Sequence, residues 1–175
     1  MNQRAERSGK ACFRFHPAVR CNAEQLASVY GKGERERQVH RILAVLNHRS
    51  AGRCFFVTAV CRGKTVGLLQ LCQERIRPHR FRIRGLHTRK EFRNQGLATH
   101  LLQLGIKCIV ESHHGKEVIS YILPTNTASI TAHEHAGFIP CTSRLLQPEH
   151  YRCFVFSRND PEQHERSPAA TAGFG

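Results

Sequence analysis

The chain has 175 residues, a net charge of +14 and 40% hydrophobic residues, which is enough for one domain with a buried core. No apolar run reaches the roughly 20 residues of a membrane helix, and the polar N-terminus lacks the apolar centre of a signal peptide, so we expect a cytoplasmic protein. The excess of Lys and Arg predicts attraction to an anionic cofactor, a nucleic acid or an acidic partner.

The spacing of apolar residues predicts seven strands and four helices. In chain order these are a strand at 11–16, helices at 22–30 and 34–47, strands at 54–61, 65–73 and 80–88, a helix from 97 to about 113, a strand at 117–123, a helix at 128–136, and strands at 139–145 and 151–157.

The predicted order is β-α-α-β-β-β-α-β-α-β-β, an antiparallel meander joined to a parallel β-α-β unit. This order predicts a single α/β domain over residues 11–158, with a mixed, mostly antiparallel sheet flanked by helices. Residues 1–10 are polar and are predicted to form a disordered arm. Residues 159–175 are rich in Pro, Ala and Gly and are predicted to form a flexible tail.

Eight cysteines occur without a Cys-x-x-Cys pair, so the usual spacing of a zinc site is missing. Several of them lie inside apolar runs, for example Cys54 and Cys72. We therefore expect reduced cysteines in the core and no bound metal.

A glycine-containing loop, Arg93 to Ala98, joins the strand over residues 80–88 to the long helix. The first amides of a helix have no partner within it, and the helix dipole places positive charge at the same point, so such a loop suits a phosphate group. Gly96 lets an anion approach the backbone, and Arg93 adds a forked cation. Taken alone, the loop also fits an ordinary strand-to-helix turn.

Two motifs, in order, resemble the GNAT superfamily of N-acetyltransferases. Arg93-x-x-Gly96-x-Ala98 resembles the acyl-CoA signature of the family, (Gln/Arg)-x-x-Gly-x-(Gly/Ala). Asn126, followed by a helix that closes in Gly-Phe, resembles its second hallmark. The resemblance covers residues 11–157, and the order of the predicted elements fits the fold of the family.

The resemblance implies that acetyl-CoA is the co-substrate. The loop amides would cradle its pyrophosphate, and the preceding strand would pair with the pantetheine arm and offer a free amide that polarises the thioester carbonyl. Asn126 would contact the cofactor, a role compatible with capping the next helix. The implied cofactor-binding residues are Leu86, His87, Thr88, Arg93, Asn94, Gln95, Gly96, Leu97, Ala98, Asn126 and Ser129.

The implied reaction needs a base for the amine proton and an acid for the leaving thiolate. Family members often place Glu or His on the strand before the loop, where this chain has Arg82 and Arg84, and arginine stays protonated. Glu74 and His87 are the substitute bases, although Glu74 equally suits a surface pair with a neighbouring arginine. His133 stands where many members have Tyr and is the candidate acid, although it equally suits a partly exposed helix position.

Arg80, Arg82 and Arg84 alternate along their strand, so we predict that they share one face. If this face borders the acceptor cleft, Arg82 and Arg84 would bind an acceptor with negative charge, such as an acidic peptide, a phosphorylated amine or RNA. If the face meets solvent, these arginines belong to the basic surface.

The function that follows is acetyl-CoA-dependent acetylation of a primary amine by direct attack on the thioester, by a monomer or a homodimer. One alternative is a CoA-binding but catalytically weak module, because the strand carboxylate is missing. A second alternative is an RNA- or ribosome-directed acetyltransferase, because the net charge is +14.

Overall fold

The computed structural model describes residues 6–8, 11–17, 23–47, 54–112, 114–141 and 150–158 of the chain. Within these ranges the chain forms strands and helices in one domain, together with a short 3₁₀ turn at Lys90–Phe92. The elements are β1 (Glu6–Ser8), β2 (Ala11–Pro17), α1 (Ala23–Ala27), α2 (Lys32–Asn47), β3 (Cys54–Cys61), β4 (Lys64–Gln73), β5 (Arg80–Thr88), α3 (Leu97–Ser112), β6 (Glu117–Ile122), α4 (Thr127–His135), β7 (Ile139–Cys141) and β8 (Arg152–Ser157).

The strands form one mixed sheet in the order β1-β2-β3-β4-β5-β6-β8-β7. Every described pairing is antiparallel except that of β5 with β6. The β3–β4 hairpin turns at Arg62 and Gly63, whose φ angles of 48° and 74° are both left-handed, as a tight hairpin turn requires. The predicted α/β class and element order are confirmed, with one strand added at the N-terminus.

Two predictions are corrected, and two others fall outside the described residues. Glu6–Ser8, which falls inside the predicted disordered arm, is a strand, because its backbone pairs with β2. Helix α2 begins at Lys32 rather than at Glu34, because the carbonyl of Gly31 accepts bonds from the amides of Glu34 and Arg35, at 3.0 Å each. Strand β7 is described as far as Cys141, and the rest of that predicted strand, like the predicted tail at 159–175, lies outside the described residues.

Two apolar layers cover opposite faces of the sheet, because successive strand residues point to opposite sides. On one face, α3 and α4 pack against residues that include Val57, Leu69 and Phe81. On the other face, α1 and α2 pack against Phe56 and Leu68. Of the helices described, none is long and apolar enough to cross a membrane.

Four cysteines form disulfides, so the prediction that the cysteines are reduced is wrong for them. Cys54 joins Cys72 across β3 and β4, and Cys141 joins Cys153 across β7 and β8. In each pair the two residues stand directly opposite one another in the strand register, which places their side chains on the same face within reach. This proximity depends on strand pairing, which spacing along the chain does not reveal.

Helix α3 packs very closely against β4 through a glycine. A Cβ atom added at Gly105 would lie 2.5 Å from a methyl group of Leu69 and 2.9 Å from one of Leu71, and both leucines are buried. Similarly, a Cβ atom added at Gly67 would lie 2.8 Å from a methyl group of Leu101, which is one helical turn before Gly105. These small residues set the distance between the helix and the sheet, and so they help to position the N-terminal end of α3.

Replacing Gly105 tests this close contact. Gly105→Val should lower the free energy of unfolding by about 1–3 kcal/mol, because the added methyl groups overpack a closed interface. Gly33→Val is the matched control, since Gly33 is an exposed residue of α2 with no atom within 4 Å of an added Cβ, and it should change the free energy by about 0.5 kcal/mol or less. Urea unfolding of the three proteins measures both effects, and equal losses in the two variants would contradict the close packing.

Candidate functional site

Strands β5 and β6 part in the middle of the sheet. Their parallel register runs only from Arg80↔Glu117 to Arg82↔Ile119, although β5 continues to Thr88 and β6 to Ile122. Arg84 has no partner on β4, because Ile83 pairs with Leu71 and Gly85 with Gln70, so it is the extra residue of a β-bulge. Bulges bend and twist a strand. Beyond Arg82, β5 therefore has an edge that no other described strand pairs with on the β6 side.

The loop that follows β5 has two left-handed residues immediately before α3. Asn94 has φ 60° and Gly96 has φ 72°, and this arrangement of backbone makes a concavity lined by amide groups. No backbone acceptor in the described part of the chain pairs with the amides of Gln95, Gly96, Leu97 and Ala98. Four free N–H groups thus lie at the positive end of the α3 dipole, which is the geometry that binds phosphate.

The loop is exposed, but the helix behind it is anchored. Arg93, Asn94, Gln95 and Gly96 are all exposed, whereas Leu97 is only 2% exposed. Arg93 Nε lies 3.4 Å from the carbonyl of Thr88, to which it donates, so its side chain folds back toward the end of β5. The predicted phosphate-loop residues are therefore brought together on a rigid support, with a cation at their side.

His100 belongs to the same corner, although the motif does not name it. Its Nδ1–H donates to the carbonyl of Gly96 at 3.0 Å, and its ring would lie 3.5 Å from a Cβ at Gly96. Its position four residues after the glycine, one helical turn away, is the signal that could have identified it.

Asn126 caps α4, which confirms the helix-capping role predicted for it alongside its contact with the cofactor. Its Oδ1 accepts a hydrogen bond from the amide of Ser129 at 3.2 Å, which satisfies one of the free donors at the start of the helix. Both residues follow the end of β6. The gap that opens where β5 and β6 part separates them from the phosphate loop. Their predicted contact with a cofactor stays a prediction.

His133 is a core residue of α4. It is only 1% exposed, and its ring contacts those of Phe138 and Phe154, with centroids 4.9 and 6.2 Å away. Burial lowers the pKa of this histidine, and the bond to the Ser129 carbonyl opposes that shift. Because Nδ1–H donates to that carbonyl at 2.7 Å, the neutral ring has its proton on Nδ1 and none on Nε2 to give.

The Nε2 atom of His133 is buried and has no partner among the described residues. The role of His133 as a general acid stays a prediction. The contacts describe packing, and they leave a lone pair rather than a proton at the second nitrogen.

His87 lies on the α1/α2 face of the sheet. It stands opposite Leu68 in the register, and its ring stacks on Tyr30 with centroids 4.4 Å apart. Burial lowers the pKa of His87, the nearby charge of Arg93 lowers it further, and Glu34 weakly opposes both. The imidazole is consequently neutral near pH 7 and is able to accept a proton.

Glu74, the other candidate base, is drawn into an ion-pair network. Its carboxylate lies 4.0 Å from Nη1 of Arg80, and Nε of the same arginine donates to Glu117 at 2.5 Å. Glu74 thus has the surface-pair environment that its sequence context also allows.

Arg82 lies on the same face as His87. Phe81 and Ile83, its neighbours, are buried against the α3 layer, so the alternation of the strand places Arg82 on the opposite side. Its guanidinium carbon lies 4.5 Å from the ring centroid of Tyr121. The predicted common face holds for Arg80 and Arg82, whereas the bulge interrupts the alternation at Arg84, which is exposed.

One half-buried cation was not anticipated by the motifs. Arg89, just after β5, donates from Nη2 to the carbonyl of Ser28, while its amide donates to the carbonyl of Val66. It thereby ties the end of β5 to the segment after α1. Nothing in the pattern around Arg89 distinguishes it from the surface arginines.

The sequence matches a known family profile. The profile described as an acetyltransferase (GNAT) domain matches residues 13–139. No curated protein matches the chain. Within the described ranges, no group of three or more His, Cys, Asp or Glu side chains is placed to hold a metal ion.

Solved structures with the same fold cover most of the chain. A GNAT-family protein from Desulfovibrio desulfuricans is 13% identical with a TM-score of 0.65, over 83% of this chain and 98% of that one. The N-acetyltransferase PseH of Campylobacter jejuni, in complex with acetyl coenzyme A, is 12% identical with a TM-score of 0.61, over 84% and 99%. The aminoglycoside acetyltransferase AAC(6')-Ib, with coenzyme A and kanamycin, is 14% identical with a TM-score of 0.65, over 83% and 95%.

A charged side chain at Gly96 tests the phosphate loop. Gly96→Glu should weaken the binding of acetyl-CoA by about 100-fold or more, because a carboxylate beside the four amides repels the pyrophosphate. Isothermal titration calorimetry measures the change.

The control is Gly63→Glu, in the β3–β4 turn. Gly63 has φ 74°, close to that of Gly96, and open space around an added Cβ, so both variants should lose a similar stability of about 1–2 kcal/mol from the left-handed backbone. Only Gly96→Glu should lose binding. Normal affinity in that variant would place the pyrophosphate elsewhere.

Proposed function

The chain belongs to the GNAT acetyltransferase family, and from this we propose that it transfers the acetyl group of acetyl-CoA to a primary amine. The observation that carries the proposal is the set of four free amides at the start of α3, placed directly after the strand whose edge is left open. The N-acetyltransferase PseH and the aminoglycoside acetyltransferase share this fold, which supports an amine as the acceptor.

The amides of residues 95–98 would bind the pyrophosphate of acetyl-CoA, with Arg93 beside them. A diphosphate carries several oxygens, and the four donors together with a guanidinium match that charge and that number of acceptors. The loop is exposed, so a ligand can reach its amides. Leu97 is buried, which holds these donors in place before the ligand arrives. This pre-organisation limits the entropy that is lost on binding.

The open edge of β5, from Ile83 to Thr88, would hold the pantetheine arm and the thioester. Backbone groups on an unpaired strand edge remain free to bond an extended ligand. An N–H group at this edge, aimed at the thioester oxygen, would stabilise the negative charge that develops there when the amine attacks.

His87 is the base that we propose for the amine. Its ring is neutral near pH 7 because its pKa is lowered, chiefly by burial, whereas Glu74 shares Arg80 with Glu117. The leaving thiolate needs a proton, and the sequence offers His133 for this role. The bond from its Nδ1 to Ser129 favours water or another group as the donor.

Acetylation of a panel of amines tests the proposed function. The purified protein should form acetylated product from acetyl-CoA and at least one class of small amine, peptide or amino sugar. Mass spectrometry of the product is preferable to a thiol reagent, because Cys61 and Cys108 are free thiols. Tight binding of acetyl-CoA without product from any amine would identify the chain as a CoA-binding module instead.

Replacement of His87 tests the base. The rate of wild-type turnover should fall as the pH drops through the lowered pKa of His87, below its ordinary value of about 6.5, since the protonated ring cannot accept a proton. His87→Gln should remove this limb and lower kcat by about 100-fold or more, with the affinity for acetyl-CoA little changed.

The comparison variant is Glu74→Gln, in which Arg80 keeps its bond to Glu117. It should retain both the acidic limb and most of kcat. The opposite pattern, with the loss in Glu74→Gln alone, would assign the base to Glu74.

A further inference from the structure

Two arginines on one face of β5 have different electrostatic surroundings. Arg80 pairs with both Glu74 and Glu117. Arg82, two residues further, is half-buried, and no carboxylate of the described residues pairs with it; its contact is with the ring of Tyr121. Glu74 and Glu117, the carboxylates on this face that form described ion pairs, are thus occupied by Arg80.

A half-buried guanidinium with no anion is costly unless something compensates for the lost water. The face of an aromatic ring supplies part of that compensation. An aromatic ring contacts the face of the guanidinium and leaves the N–H groups at its edge available. These donors form a fork that matches a carboxylate or a phosphate.

The position of Arg82 relates this fork to the reaction site. Arg82 is the last residue of β5 that pairs with β6 before the two strands part. Tyr121 lies on the same face of β6, since its neighbour Ile122 packs into the opposite layer. His87 also lies on this face, further along β5. An anion bound at Arg82 would therefore lie at the closed end of the gap, on the side of the proposed base.

We propose that the acceptor is an anionic amine, a primary amine whose carboxylate or phosphate group binds Arg82 beside Tyr121. This inference rests on the proposed acetyltransferase activity and specifies its substrate class. In binding, the anion takes the place of an acidic partner, which none of the described residues supplies, and it orients the amine toward the thioester.

Matched acceptor pairs test the inference. The pairs are 4-aminobutyrate with 4-aminobutanamide, and phosphoethanolamine with ethanolamine; 6-aminohexanoate varies the distance between amine and anion. Wild-type kcat/KM should favour the anionic member of a pair by about 10- to 100-fold, the range of a charge-assisted hydrogen bond. The two pairs separately report whether a carboxylate or a phosphate is preferred.

The variants assign the preference to one side chain. Arg82→Gln should bring the anionic and neutral amines to about equal kcat/KM, and Arg82→Lys, which keeps the charge without the fork, should retain part of the preference. The control is Arg77→Gln, in the exposed β4–β5 loop, which should keep the full preference. Circular dichroism of each variant shows that it has folded.

The possible outcomes separate this inference from the proposed function. Acetylation of both members of each pair at equal kcat/KM, or an unchanged preference in Arg82→Gln, would overturn the anion site and leave the acetyltransferase activity standing. If no amine is acetylated, calorimetric titration of 4-aminobutyrate and phosphoethanolamine into the protein with coenzyme A decides. Binding that Arg82→Gln loses would support the site without the activity, and binding equal in both proteins would overturn it.

Discussion

The parting of β5 and β6 is the constraint on which the rest of the site depends. In a continuous sheet, every backbone group between two strands is paired, and no ligand can enter between them. Here the pairing stops at Arg82↔Ile119, and a bulge at Arg84 bends β5 away. Among the described strands, the same break leaves an unpaired edge on β5 and places Arg82 at its closed end, and a loop leads from the end of β5 into α3.

Helix α3 both packs closely against the sheet and presents backbone amides at its N-terminal end. Its buried side closes on β4 at Gly105 and Gly67, where there is no room for a further carbon atom. Its N-terminal end has four amides, those of residues 95–98, with no backbone acceptor among the described residues. Because Leu97 is buried directly after the exposed loop, the position of the donors follows from the packing of the helix. A loop held in this way would need little reorganisation to bind the proposed phosphate group.

The charged and titratable side chains of the site differ in their electrostatic surroundings. Arg80 is paired with two carboxylates, while Arg82 has an aromatic ring in their place. Burial lowers the pKa of both His87 and His133, but His87 borders the gap and His133 packs among phenylalanines. Of the two, His87 lies on the part of β5 beyond its pairing with β6, and for this reason we propose it as the base.

The sequence by itself determined the fold class, the order of nearly all elements and the position of a glycine loop before α3, since apolar periodicity and the glycine motif are local signals. It also indicated the Asn126 cap. Other features depend on which residues lie opposite one another. They are the β1 strand, the disulfides between facing strands, the bulge at Arg84, and the ion pairs that Arg80, rather than Arg82, forms among the described residues. Strand register decides this, and register arises from contacts between segments far apart in the chain, so only the tertiary structure could reveal it.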